Sequence, residues 1–176
     1  MSKPVLRKRA RFADIADEID HVYQKLVYWH CRTVRGARAR QYAARLKKLL
    51  PRDETAPGSI FGEECWSLVL EIQGDLRQAI RHRENEIRLI RRLHEITPRE
   101  QRDRVFGWYD YSDISDRLAI LADLYVQIGE TNRAIAVLRE AKAFCVRQGI
   151  AFEGEDALHE LLRDTTRNGQ RTRSTA

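Results

Sequence analysis

Residues Leu118 to Ala141 read LAILADLYVQIGETNRAIAVLREA. On the left of Gly129, Leu118, Leu121, Ala122 and Tyr125 recur at spacings of three and four, which puts them on one face of a helix. On the right, Ala134, Leu138 and Ala141 do the same. Gly129 between them is the residue that tolerates the left-handed backbone a tight turn needs. Ala122 and Ala134 are small where two crossing helices would approach closely, and Tyr125 and Leu138 are large enough to fill the space around that crossing. The stretch predicts a helix–turn–helix hairpin.

A second stretch keeps the same offsets. Trp66, Ser67, Leu70, Gly74 and Ala79 correspond in spacing to Leu121, Ala122, Tyr125, Gly129 and Ala134. The agreement then stops, because Arg83 and Glu86 stand where the first copy has Leu138 and Ala141. The two turn glycines are 55 residues apart.

The pattern resembles the tetratricopeptide repeat, a helix–turn–helix unit of 34 residues. The resemblance is clear over about residues 115–148 and weaker over about 60–86. Leu118 replaces the family's usual Trp, Leu138 its usual Phe, and Val146 stands where Pro is frequent. The resemblance implies an all-α fold of antiparallel helical hairpins in a right-handed array. It also implies that the first helix of each hairpin lines a concave groove for a peptide. By that analogy the groove residues are Glu64, Leu68 and Glu71 in one unit and Asp116, Ala119, Asp123 and Gln127 in the other. Four of these seven are acidic, which favours a basic segment as ligand. This chain's own N-terminal region, in cis or from a second copy, is one such segment.

Helical periodicity extends over the remaining sequence. It predicts helices over about 12–34, 37–50, 60–73, 76–96, 112–128, 131–148 and 156–164, with stops at Gly36, Pro51, Gly74, Pro98, Gly129 and Gly149. The pair over 12–50 reads as an N-terminal hairpin without the repeat's Gly and Ala landmarks. Residues 1–10 read as a disordered basic tail, 11–164 as a single all-α domain, and 165–176 as a disordered polar tail. Phe106, Trp108, Tyr109 and Tyr111 crowd a stretch between two hairpins. Trp108 and Tyr109 are candidate contact residues there, since exposed aromatic side chains anchor interfaces.

With 176 residues the chain suits one domain, and 43% hydrophobic against 33% charged residues excludes disorder throughout. No apolar run approaches the roughly 18 residues of a membrane span. No apolar stretch follows the basic first residues, so no secretory signal is expected and the protein reads as cytoplasmic. Cys31, Cys65 and Cys145 are odd in number and widely spaced, the pattern of buried reduced thiols.

The net charge of +6 is uneven, with +9 in residues 1–50 and a slight acidic excess beyond. Within that basic region Arg32, Arg35, Arg38, Arg45, Lys47 and Lys48 recur at roughly helical spacing. Such a row could follow a phosphate backbone, so nucleic-acid association is one alternative function. A structural homo-oligomer subunit is another.

The sequence contains no phosphate loop, no dinucleotide fingerprint and no nucleophile elbow. Glu18-x-x-His21 and His82-x3-Glu86 each offer two metal-ligating side chains but no further ones. No enzyme activity, metal or cofactor is expected. The reading is a protein–protein interaction module, an adaptor or regulatory subunit.

Overall fold

The computed structural model describes residues 14–53, 58–101 and 114–174. Seven α-helices account for most of them: α1 Ile15–Arg32, α2 Ala37–Leu49, α3 Ile60–Gln73, α4 Leu76–Ile96, α5 Ile114–Gln127, α6 Thr131–Gln148 and α7 Glu155–Ser174. Short 3-10 turns follow at Leu50–Arg52 and Arg99–Gln101, and there is no strand among the described residues. The fold is all-α.

Local chemistry sets the helix ends. Asp14 caps α1 by accepting the Asp17 amide at 2.8 Å, and Ser59 caps α3 by accepting the Gly62 amide at 3.0 Å. Gly74 ends α3 with a left-handed φ of 86°, Gly129 follows α5 at 80°, and Gly149 ends α6 at 69°. Thr97 closes α4 through its hydroxyl, which donates to the Leu93 carbonyl at 2.6 Å, and Pro98 follows.

Two places depart from the sequence reading. Between α1 and α2 the left-handed residue is Arg35, at φ 53°, rather than Gly36. Gly36 is needed for space instead, since a Cβ there would meet Thr33 at 3.0 Å. At the other end α7 runs to Ser174, so residues 165–174 are helical where the sequence predicts an unfolded tail. The Thr165 hydroxyl donates to the Leu161 and Leu162 carbonyls, the back-bonding open to a threonine inside a helix. The expectations for residues 1–10 and for Trp108 and Tyr109 lie outside the described residues.

Successive helices pair as hairpins. Glu18 near the start of α1 meets Arg45 near the end of α2 at 2.5 Å, so these two run antiparallel. In α3 and α4 the Ser67 hydroxyl donates to the Ala79 carbonyl at 3.0 Å, while Glu63 meets His82 at 2.7 Å, again antiparallel. The third hairpin is α5 with α6, and α7 packs on α6.

The apolar core forms two clusters. The first gathers Ile19, Val22 and Leu26 of α1, Ala39, Ala43 and Leu46 of α2, and Cys65, Leu68, Val69 and Ile72 of α3. The second joins α4 to α7 through Ile87, Ile90, Leu118, Leu124, Leu138, Phe144 and Leu158. Each fully buried aliphatic side chain is worth about 1.5–3 kcal/mol relative to exposure. The fully buried apolar residues of α3 and α4 thus fall in different clusters although the two helices form one hairpin, while Ile60 and Leu70 of α3 pack on the second. A polar layer of Glu63, Ser67, Arg83 and Glu86, all buried, lies where the clusters meet.

Candidate functional site

The first helices of the three hairpins lie side by side. Tyr23 of α1 donates its phenol to Glu64 of α3 at 2.6 Å, and His30 of α1 meets Glu71 of α3 at 3.4 Å. Both pairs advance by seven residues, so α1 and α3 run the same way. Arg35, just past α1, reaches the end of α5 and donates to Gln127 at 2.6 Å. Between the three helices is a groove of about 530 Å³.

Six of the seven residues expected on the groove line it: Glu64, Leu68, Glu71, Asp116, Ala119 and Asp123. The seventh, Gln127, closes one end. It accepts from Arg35 and donates to Asp123 at 2.7 Å. Helix α1 adds Tyr23, Val27, His30 and Cys31, and α5 adds Arg117 and Ile120. Valine, leucine, alanine and isoleucine make an apolar strip, and carboxylates flank it.

Under the groove lies a buried ion group. Arg83 of α4 lines it and is 4% exposed, while Glu86 is fully buried. Glu86 accepts from Arg83 at 2.5 Å and from Arg117 Nε at 2.6 Å. Burial pushes the Glu86 carboxyl above its usual pKa; Arg83 opposes this, Glu64 adds to it, and Arg117 opposes it as well. Burial, then the neighbouring Glu64, also pushes the Tyr23 phenol and the Cys65 thiol upward, so both keep their protons.

Three buried side-chain nitrogens among the described residues have no hydrogen-bond partner: His30 Nδ1, Arg35 Nε and Arg83 Nε. All three belong to residues on the groove or at its closed end. Each buried polar atom left without a partner costs about 1–3 kcal/mol, which a ligand would recover by accepting from the two arginine N–H groups or donating to His30 Nδ1.

The sequence reading missed the contribution of α1. Its residues 23, 27, 30 and 31 form a strip beside the core face of Ile19, Val22 and Leu26, and helical spacing alone could have flagged it. It also missed Arg83, Glu86 and Arg117, whose partnership spans two hairpins. Cys65 and Cys145 are buried as expected, but Cys31 is exposed because its helix face turns to the groove.

The basic row is largely engaged within the molecule. Arg32 stacks on Tyr28 at 4.5 Å and Arg38 on Trp29 at 4.2 Å. Arg45 pairs with Glu18, Lys47 donates to Gln73 at 2.8 Å, and Arg35 turns to Gln127. Lys48 is exposed. Arg32, Arg38, Arg45 and Lys47 stay exposed as well.

Among the described residues no group of three or more His, Cys, Asp or Glu side chains is arranged to hold a metal, and no helix is long and apolar enough to cross a membrane. His82 is turned to Glu63, and Glu86 to the two arginines. Compared with protein-family models, with curated proteins and with solved structures, the chain finds no match.

Proposed function

We propose that the chain is a tetratricopeptide-like interaction module, an adaptor or regulatory subunit, whose groove takes a basic peptide segment of a protein partner. One observation carries the reading. Residues chosen by repeat analogy from two stretches of sequence line a single groove, with Glu64, Glu71, Asp116 and Asp123 along it. Carboxylates at a groove steer and select cationic partners. The apolar strip between them would take the aliphatic parts of the ligand. The partner-free Arg83 Nε–H suits a main-chain carbonyl oxygen and His30 Nδ1 suits a main-chain N–H, and every peptide brings both.

Fluorescence anisotropy with a labelled Lys/Arg-rich peptide tests this. Changing Asp116→Asn and Asp123→Asn together, both on the exposed side of α5, is expected to weaken binding about tenfold, from roughly 0.7 kcal/mol per charge. Binding should also fall with added salt. Equal affinities in parent and double variant would remove the groove from the reading. If labelled duplex DNA or RNA binds instead, and Arg32→Ala with Arg38→Ala abolishes it, the nucleic-acid alternative replaces it.

A further inference from the structure

We propose that residues 1–13 of this chain occupy the groove of their own molecule, so that an outside basic peptide must displace them. This rests on the reading of the groove as a basic-peptide site. It assigns that site an occupant and a form of self-inhibition.

Charge is the first argument. Residues 1–13 carry Lys3, Arg7, Lys8, Arg9 and Arg11 and no carboxylate. The groove carries Glu64, Glu71, Asp116 and Asp123, with Arg83 and Arg117 already committed to Glu86 beneath it. Val5 and Leu6 sit between Lys3 and Arg7. That order of cation, apolar pair and cation matches the strip of Val27, Leu68, Ala119 and Ile120 with carboxylates on its flanks.

Reach is the second. The segment joins α1 at Asp14, and α1 itself forms one wall of the groove from Tyr23 to Cys31. At 1.5 Å per residue those positions lie about 12 Å and 24 Å along the helix from Ile15. Thirteen extended residues span about 43 Å, enough to turn back at Asp14 and run the length of the wall. A tethered segment of this length acts at millimolar effective concentration, so even weak contacts suffice in cis.

The partner-free nitrogens are the third. Arg83 is 4% exposed and its Nε has no acceptor, and His30 Nδ1 has no partner either. The Arg83 Nε–H needs an acceptor, which no cation supplies. A peptide chain meets both needs: a carbonyl oxygen accepts from Arg83 Nε, and a main-chain N–H donates to His30 Nδ1, which is the acceptor nitrogen when Nε2 faces Glu71.

The test uses the full chain. A labelled peptide of residues 1–13 is titrated into the parent and into a full-length variant with Lys3, Arg7, Lys8, Arg9 and Arg11 all changed to Gln. The variant is expected to bind the peptide at least tenfold more tightly, because its own segment no longer competes. Carbodiimide coupling of the parent should join Lys3 or Lys8 to Asp116 or Asp123 within one monomer, read by mass spectrometry. Equal affinities, or the same cross-links found only in dimers, would overturn occupancy in cis. If neither chain binds the 1–13 peptide while both bind another Lys/Arg-rich peptide, this proposal fails and the groove reading stands. If neither binds any basic peptide, both fail.

Discussion

At the turn between α3 and α4, Gly74 sits at φ 86° and the Asp75 amide donates to the Leu70 carbonyl at 2.9 Å. At the turn between α5 and α6, Gly129 sits at 80° and the Glu130 amide donates to the Tyr125 carbonyl at 2.9 Å. Ser67 and Ala79 at the first crossing are as buried as Ala122 and Ala134 at the second. Further along, Arg83 and Glu86 occupy the places of Leu138 and Ala141, and all four are buried, at 4%, 0%, 4% and 0% exposure. The backbone frame is therefore repeated while the chemistry of two inward positions is exchanged. The neighbours explain the exchange. Leu138 is covered by apolar chain from the last connection, with Phe152 and Gly154 over it. Arg83 and Glu86 are covered by Arg117 of the next hairpin and by the groove. One hairpin faces a closing helix, and the other faces the groove.

The sharpest way to break this comparison is to remove the charge at its centre. Glu86→Ala takes away the buried carboxylate that faces Arg83 and Arg117, and removing one partner of such a group costs about 3–5 kcal/mol. Urea denaturation should show that loss. Converting the whole group to the chemistry of the other hairpin, Arg83→Leu, Glu86→Ala and Arg117→Met together, is expected to return stability to within about 1 kcal/mol of the parent, or to exceed it by up to about 4 kcal/mol. Basic-peptide binding should not return with it, since Arg83 Nε is gone. If the triple variant stays as unstable as Glu86→Ala, the seam needs its charges to pack, and they would not be there for the groove alone.

What could be read in advance follows from how local each signal is. The ends of α2, α3, α4 and α6 are legible because Gly74, Gly149, Pro51 and Pro98 act within one turn of chain. The hairpin crossings are legible because small residues at fixed offsets have one steric meaning. The acidic groove was legible only through the repeat analogy, which says which face turns inward but nothing about neighbours outside the repeat. So α1 was read only as part of an N-terminal hairpin outside the repeat, although Tyr23 and His30 bond directly to groove carboxylates. Arg83 and Glu86 read as a failure of the pattern because their partner, Arg117, stands 31 residues beyond Glu86 on another hairpin. Arg35 was read as part of a basic row. Its left-handed backbone, which favours glycine, and its bond to Gln127 give it a different task at the groove's end.

A milder test asks whether the two turns are as equivalent as their geometry. A Cβ added at Gly74 or at Gly129 would meet nothing within 4 Å, so each change to Ala carries only the cost of a left-handed backbone. That cost is about 1–2 kcal/mol, and thermal unfolding should show the same loss for both variants to within about 0.5 kcal/mol. A much larger loss for Gly74→Ala would mean that the first hairpin tolerates less adjustment, as expected if its polar layer fixes the helix crossing more tightly than apolar contacts do.

The smallest difference lies one turn before the glycines, where Leu70 in one hairpin is matched by Tyr125 in the other. The Tyr125 phenol donates to Glu84 at 2.5 Å, and this contact joins α5 back to α4. Burial, with the Glu84 carboxylate as acceptor and as neighbouring charge, raises its pKa from 10.0 to about 12. A folded-state pKa above the unfolded value means a contribution that is complete below pH 10 and is lost as the pH rises towards 12. Tyr125→Phe should therefore cost about 1 kcal/mol at neutral pH. The gap between parent and variant, followed by denaturant unfolding, should hold constant to pH 10 and close above it. No gap at neutral pH would show that the ring's packing, which phenylalanine keeps, and not the hydroxyl distinguishes the two hairpins at this position.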